Sequence, residues 1–237
     1  CVCLCMLILV CSLCNCSLSS QRLVVRKCLI GIKLAYINVV TLQQGPSKKC
    51  YRYDDVKLSP EEKIAILSRL NQRRSFAAHG GLGYATAANM IKLRWVEELA
   101  KLAQRWADQC RPPSNPDEKD ICRDLYSVNV GQCVASIVGD APGLLAESLA
   151  DIWFMQSMNF KIAKKSNYED FAQMIWANTH MVGCGRSRFT PRVVERLVCN
   201  FAPRGPPVGA ALWIPGPPTS NCPPRTKGQL DGLCSYR

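Results

Sequence analysis

The sequence predicts an α+β fold in which antiparallel strands are covered by helices on both faces, a mixed αβα layering. Helical-period apolar stripes alternate with short strand-type runs, which is the pattern of layered helices and sheet. Two of those runs, Gly183–Phe189 and Val193–Phe201, meet across Thr190-Pro191-Arg192 and read as a β-hairpin. Fifteen cysteines in 237 residues place the chain in an oxidising compartment, where disulfides lock such layers. Two histidines, and no CxxC…CxxC or CxxC…HxxxH spacing, leave those thiols no zinc framework. The 48% hydrophobic and 20% charged content excludes wholesale disorder and collagen-like repetition.

The elements follow in order. Residues 1–21 carry no charge and hold an apolar core, Met6–Val10, followed by Ser17, Ser19 and Ser20. That reads as a secretory signal peptide over residues 1–20, with an uncleaved membrane anchor as the rival, since the run just reaches the length of a span. Residues 21–58 form an arm whose strongly apolar Leu29–Leu42 stretch has neither a helical nor an alternating period. Ser59-Pro60-Glu61-Glu62 is a capping box with proline at the first helical position, and Ile64, Leu67 and Leu70 recur at helical spacing, so residues 59–76 are expected to be helical. Gly80-Gly81-Leu82-Gly83 is a loop, because no strand precedes it and no Gly-Lys-Ser/Thr follows.

Trp95, Leu99, Leu102, Ala103 and Trp106 mark one face of a second helix, ended by Cys110 and Pro112-Pro113. Leu145, Leu149, Ile152, Trp153 and Gln156 mark a third after Asp140-Ala141-Pro142, and Tyr168–Trp176 a shorter fourth. Val128–Val138 is a strand, and Cys184 and Cys199 flank the hairpin so that they can face each other. From Pro203 the chain becomes proline-rich, with Cys222 and Cys234 stapling an extended tail over residues 206–237.

Several motifs in this order carry a family resemblance. Glu169–Thr179 (Glu-Asp-Phe-Ala-Gln-Met-Ile-Trp-Ala-Asn-Thr), then Val182-Gly183-Cys184-Gly185, resembles the first signature of the CAP superfamily of cysteine-rich secretory, antigen 5 and plant pathogenesis-related proteins. Leu197–Gly205 looks like the second signature, with Phe201 for the usual Tyr and Pro206 for the usual Asn. Leu93-Arg94-Trp95 through Trp106–Cys110 resembles the family's long helix, and Val130-Gly131-Gln132 its central strand. Cys122-Arg123-Asp124 is similar to the arthropod antigen 5 branch. The resemblance covers residues 59–205, with a remnant of the family's hinge at Cys222–Cys234, and implies a secreted three-layer αβα sandwich with a central cleft.

In many relatives that cleft holds two histidines and two acids able to bind a divalent metal. The matching positions here are Lys119, Gln132, Gln156 and Asp170, so all four are replaced. Amides are poor ligands, Lys119 is a cation and one carboxylate cannot hold zinc alone, so the expectation is no metal, no cofactor and no catalytic residue. His79 and His180 are expected at the surface.

The resemblance further implies the bridges Cys184–Cys199, Cys50–Cys110 and Cys28–Cys122, with direct Cys110–Cys122 pairing as the alternative, beside the retained tail bridge Cys222–Cys234. Cys133 remains, read as a small buried thiol, with intermolecular pairing as the alternative. The formal charge of +12 favours anionic surroundings. Arg186 and Arg188 share a strand face, and with Arg192 and Arg196 they form a candidate site for sulfated glycan, against a plain solvated face. The expected function is a secreted, monomeric, non-enzymatic binder of an extracellular protein, lipid or sulfated glycan. No nucleic-acid module is present, and no stable membrane insertion is expected once the signal is removed. The alternatives are a carrier of small hydrophobic ligands using Leu145, Leu149 and Ile152, and a metal-dependent hydrolase.

Overall fold

The structure, a computed structural model, describes residues 45–48, 50–54, 56–121, 123–125, 128–139, 144–158, 168–190 and 193–237. The signal peptide, most of the arm, the Cys28–Cys122 bridge and Arg192 lie outside the described residues.

Strand β1 (Tyr51–Asp54) leads into helix α1 (Pro60–Ala78). The Ser59 hydroxyl accepts from the Glu62 amide at 3.2 Å, while the Glu62 carboxylate accepts from the Ser59 amide at 2.8 Å. That is the reciprocal cap expected from the sequence. The buried stripe of α1 is not the expected one, however. Ile66, Leu70, Arg74 and Ala77 face inward, while Ile64 is 69% exposed. The chain then turns through Gly80 and Gly83, whose φ of +77° and +78° favour glycine.

Trp95 corrects the second helix. It lies in β2 (Arg94–Trp95), which pairs in parallel with Met181 and Val182, so α2 spans only Glu97–Ala107. The central strand β3 is Gly131–Val138, followed by α3 (Ala146–Met155) and α4 (Glu169–Ile175). Leu145 caps α3 from outside and is 59% exposed, so it lines no apolar slot with Leu149, which is fully buried. The hairpin strands are β4 (Met181–Thr190) and β5 (Val194–Ala202), and the tail closes with β6 (Thr226–Gly228) and β7 (Cys234–Tyr236).

The main sheet runs β1-β4-β5-β3, with β2 also on β4. Strand β5 is buried along its whole length, which follows from cover on both faces. Its Leu197, Cys199 and Phe201 join the large core with α1, α3 and α4, whereas Val198 packs on Trp106, Ala103 and Ala107 of α2. The result is three layers: α2, the sheet, then α1 with α3 and α4.

Gly183 and Gly185 explain how α2 seats so closely. A Cβ on Gly183 would overlap the backbone of Val96 and Ala100, and one on Gly185 the backbone of Gln104. Their alternation puts both on the α2 face of β4, while Cys184 between them faces the other layer and bridges to Cys199, directly opposite with Cα atoms 4.1 Å apart.

The proline-rich tail does not hang free beyond residue 205. Leu212, Trp213 and Leu233 enter the same core as α1 and α4, and the Cys234 amide donates to Met90 O at 2.7 Å. The Cys222–Cys234 bridge fixes this return, and Cys50–Cys110 ties the described end of the arm to the end of α2.

Candidate functional site

At the β3 edge of the sheet, the 114–119 loop, the end of α3 and the start of α4 enclose a cleft of about 440 Å³. Lys119, Gln156 and Asp170 all line it. Asp170 is placed by the first turn of α4, and Gln156 follows the last residue of α3. The Lys119 ammonium lies 2.7 Å from Asp170 Oδ1 and 3.7 Å from the Glu169 carboxylate. The Gln156 amide donates to Asp170 Oδ2 at 3.3 Å, and its carbonyl accepts from the Phe171 amide at 3.2 Å. Three of the four substituted positions thus converge on one carboxylate.

Gln132 does not. It neighbours Cys133 on β3, so it points to the opposite face, beside Asn200, its partner on β5. Its amide donates to Asn200 Oδ1 at 2.8 Å and its carbonyl accepts from the Asp120 amide at 2.7 Å. Asn200 in turn donates to Leu99 O at 3.2 Å. Gln132 therefore ties the sheet to α2 and holds the residue after Lys119 in place, without entering the cleft.

The charge state of the cleft follows from these contacts. Burial, the strongest influence on Lys119, pulls its pKa down. The charge and hydrogen bond of Asp170, with Cys133 and Glu169, outweigh it and raise the value above 10.5. Lys119 is a fixed cation at neutral pH. Below this pair lies Cys133, a free and fully buried thiol whose hydrogen points to Asp170 O at 3.6 Å. Burial and then the Asp170 charge push its pKa well above 9.0, so it stays protonated and has no route to a second chain.

A divalent metal does not fit this donor set. Of the three carboxylates around the cleft, Asp170 has an ammonium on one oxygen and an amide on the other, and Glu169 is exposed beside the same ammonium. Asp117 accepts from the Ser114 amide and lies 3.7 Å from Arg196, so a metal cation would have to displace or face these positive charges. Among the described residues no group of three or more His, Cys, Asp or Glu side chains is arranged to hold a metal. The histidines are remote from the cleft: His79 Nδ1 lies 2.8 Å from Ser75 O, and His180 sits against the Tyr236 ring, centroids 5.1 Å apart.

The candidate anion site on the hairpin comes apart in the structure. Arg186 lies between Glu62, at 2.7 Å, and Glu195, which also takes its guanidinium. Arg188 lies 3.9 Å from Asp54. Arg196 is on the other face and nearly fully buried, donating to Ser136 Oγ at 2.9 Å, 3.7 Å from Asp117 and stacked over Phe189. Arg186 and Arg188 share a face of β4 as expected, but each lies beside a carboxylate, and the parity of β5 puts Arg196 on the other side.

One residue of consequence had no place in the sequence reading. Arg74 is fully buried on α1 and donates six hydrogen bonds to the carbonyls of Ile91, Met174, Trp176, Ala177 and Thr179, at 2.6–3.2 Å. It fixes the loop between α4 and β4. The signal was its position four residues after Leu70, on the stripe that α1 buries.

Residues 67–201 match the family described as CAP: Cysteine-rich secretory protein family. Venom allergen 3 of Solenopsis invicta is 29% identical over 188 residues, 71% of this chain and 78% of that protein. Venom allergen 5 2 of Polybia paulista is 32% identical over 205 residues, 77% of this chain and 97% of that protein. Venom allergen 5 of Lycosa singoriensis is 30% identical over 202 residues, 75% of this chain, but the match spans only 53% of its own length. Among solved structures, BmVAL-1 superposes with a TM-score of 0.61 at 23% identity, covering 76% of this chain and 96% of that one. NaASP2 with Zn2+ gives 0.60 at 22% identity, covering 77% and 99%. Both share the three-layer fold.

Proposed function

This chain belongs to the CAP family of cysteine-rich secretory proteins, and from that premise we propose that it is an antigen 5-like extracellular protein that acts by binding a partner. The observation that carries the proposal is the Lys119–Asp170 pair. An ammonium built into the chain neutralises the Asp170 carboxylate, and Arg196 lies beside that of Asp117, so the residues there hold a shape and activate nothing. Hydrolysis needs a nucleophile with a base beside it or a metal-bound water, and this cleft supplies neither pairing. Its walls offer Ser114, Asn115 and Ser136, polar groups suited to contact rather than to proton transfer.

Extracellular placement is supported by the disulfides at Cys50–Cys110, Cys184–Cys199 and Cys222–Cys234, which persist in an oxidising compartment. Among the described residues no helix is long and apolar enough to cross a membrane. The partner is an extracellular protein, met by the protein as a monomer; the hairpin arginines, each beside a carboxylate, offer little to a sulfated glycan.

Native mass spectrometry of protein purified from its source under non-denaturing conditions tests this. The expected mass is that of the oxidised chain without a metal ion. One divalent ion retained per chain overturns the metal-free reading, and a co-purifying lipid moves the assignment to the carrier.

A further inference from the structure

A second cavity lies at the other edge of the sheet. Among the described residues, strand β1 reaches β4 only at Arg188 and Thr190 and β2 only at Met181 and Val182, so no described strand covers the middle of the β4 edge. Gln104 of α2 fills part of that gap. Its amide donates to Arg186 O at 2.8 Å and its carbonyl accepts from Arg186 N at 3.0 Å, the two bonds a neighbouring strand would make. Beside it remains a cavity of about 420 Å³, within the roughly 300–1,000 Å³ usual for small-molecule sites.

The lining divides by chemistry. Leu58, Ala100 and Cys184, all buried residues, supply the apolar part. Lys57, Lys63, Lys101 and Arg105 stand around it against two carboxylates, Glu97 and Asp108. Glu97 is paired with a cation, whereas Asp108 is held through one oxygen by uncharged donors, leaving four cations against two carboxylates in the lining. Glu97 takes the Lys63 ammonium at 3.1 and 3.3 Å and the Trp95 indole N–H at 3.0 Å. Asp108 Oδ1 accepts from the Tyr53 hydroxyl at 2.6 Å and the Gln104 amide at 2.7 Å. Lys101 and Arg105 are one turn apart on α2, so they share a face, and neither has an ion pair among the described residues.

We propose that this cavity binds a small amphiphilic anion, its carboxylate or sulfate head held by Lys101 and Arg105 and its short apolar body lying on Leu58, Ala100 and Cys184. A guanidinium presents two parallel N–H groups to such a head, and the adjacent ammonium adds a second charge. Glu97, one turn before Lys101, attracts that lysine without forming an ion pair with it, and an uncharged ligand of the same shape would gain nothing from either cation. The cavity is distinct from the cleft at β3, so a metal found in that cleft would leave this proposal standing.

Isothermal titration of the oxidised full chain with decanoate and, separately, octyl sulfate tests it at low ionic strength. One-to-one saturable binding of at least one of them is expected, with decanol binding at least about tenfold more weakly. Lys101→Glu/Arg105→Glu is expected to weaken binding by about tenfold or more, and Lys101→Ala/Arg105→Ala in the same direction. Arg225→Glu/Lys227→Glu, the same charge change on the tail hairpin, is expected to change it less than about twofold. Near-ultraviolet circular dichroism reports whether each variant is folded, and the Ala pair decides the matter if the Glu pair is not. Absence of saturable binding to either anion, decanol binding as tightly, or equal losses in the tail variant overturns the proposal.

Discussion

Arg74→Met is expected to destabilise the protein by about 3–5 kcal/mol. The guanidinium satisfies five carbonyls that have been taken out of water, and methionine fills the volume while satisfying none of them. For a domain of this size the loss corresponds to a fall of roughly 6–20 °C in Tm. Lysine is no substitute, because three donors on a single nitrogen cannot reproduce the planar fork. Burial pulls the Arg74 pKa down to about 9, still charged at neutral pH. Because the folded value is the lower one, the unfolded chain binds more protons above about pH 9, so this group makes stability rise as pH climbs past that value towards the ordinary arginine range. Thermal denaturation of the wild-type and Met proteins at pH 7 checks the main effect. A difference below about 1 kcal/mol would mean that the carbonyls find water instead.

The second large effect belongs to the glycines under α2. Gly183→Ala and Gly185→Ala are each expected to cost about 2–3 kcal/mol, the upper end for overpacking. The obstacle in both cases is helix backbone, which cannot rotate aside as a side chain does. Relief requires lifting α2 off β4, which exposes Leu99 and Ala103 and breaks the Gln104 bonds to Arg186. Urea denaturation of both variants measures the cost. Values within about 0.5 kcal/mol of wild type would show that α2 is not seated as described.

The parts of the fold written in local chemistry were legible. The Ser59–Glu62 capping box, the hairpin and its facing cysteines each depend on residues a few positions apart, and each forms as the sequence predicts. Trp95 was misplaced because its spacing to Leu99 and Trp106 fits a helix, and only β4, far along the chain, recruits it into a strand. The α1 stripe was misread for a related reason. Ile64 satisfies helical spacing with Leu67, but the buried side is chosen by what packs against it, and that side accepts the charged Arg74 because loop carbonyls converge there.

The cleft was half legible. Motif positions identify Lys119, Gln156 and Asp170, which meet, yet strand parity already placed Gln132 and Cys133 on opposite faces. Parity also puts Arg196 on the other face from Arg186 and Arg188, and a second cause acts on the hairpin arginines. Counting cations along a strand says nothing of the carboxylates that tertiary packing brings to them: Glu62 from α1, and Asp117 from the loop before Lys119.

The Lys119–Asp170 pair also sets the range over which the cleft stays closed to metal. The folded Lys119 pKa is raised above 10.5, so the stabilisation from this pair is fully present below that value and lost only as pH rises through the higher folded one. Calorimetric titration with zinc between pH 6 and 9 measures this directly. The wild-type chain is expected to show no stoichiometric binding across that range. Tight one-to-one zinc binding that Asp170→Asn abolishes would contradict a cleft in which the Asp170 carboxylate is already held by Lys119 and Gln156.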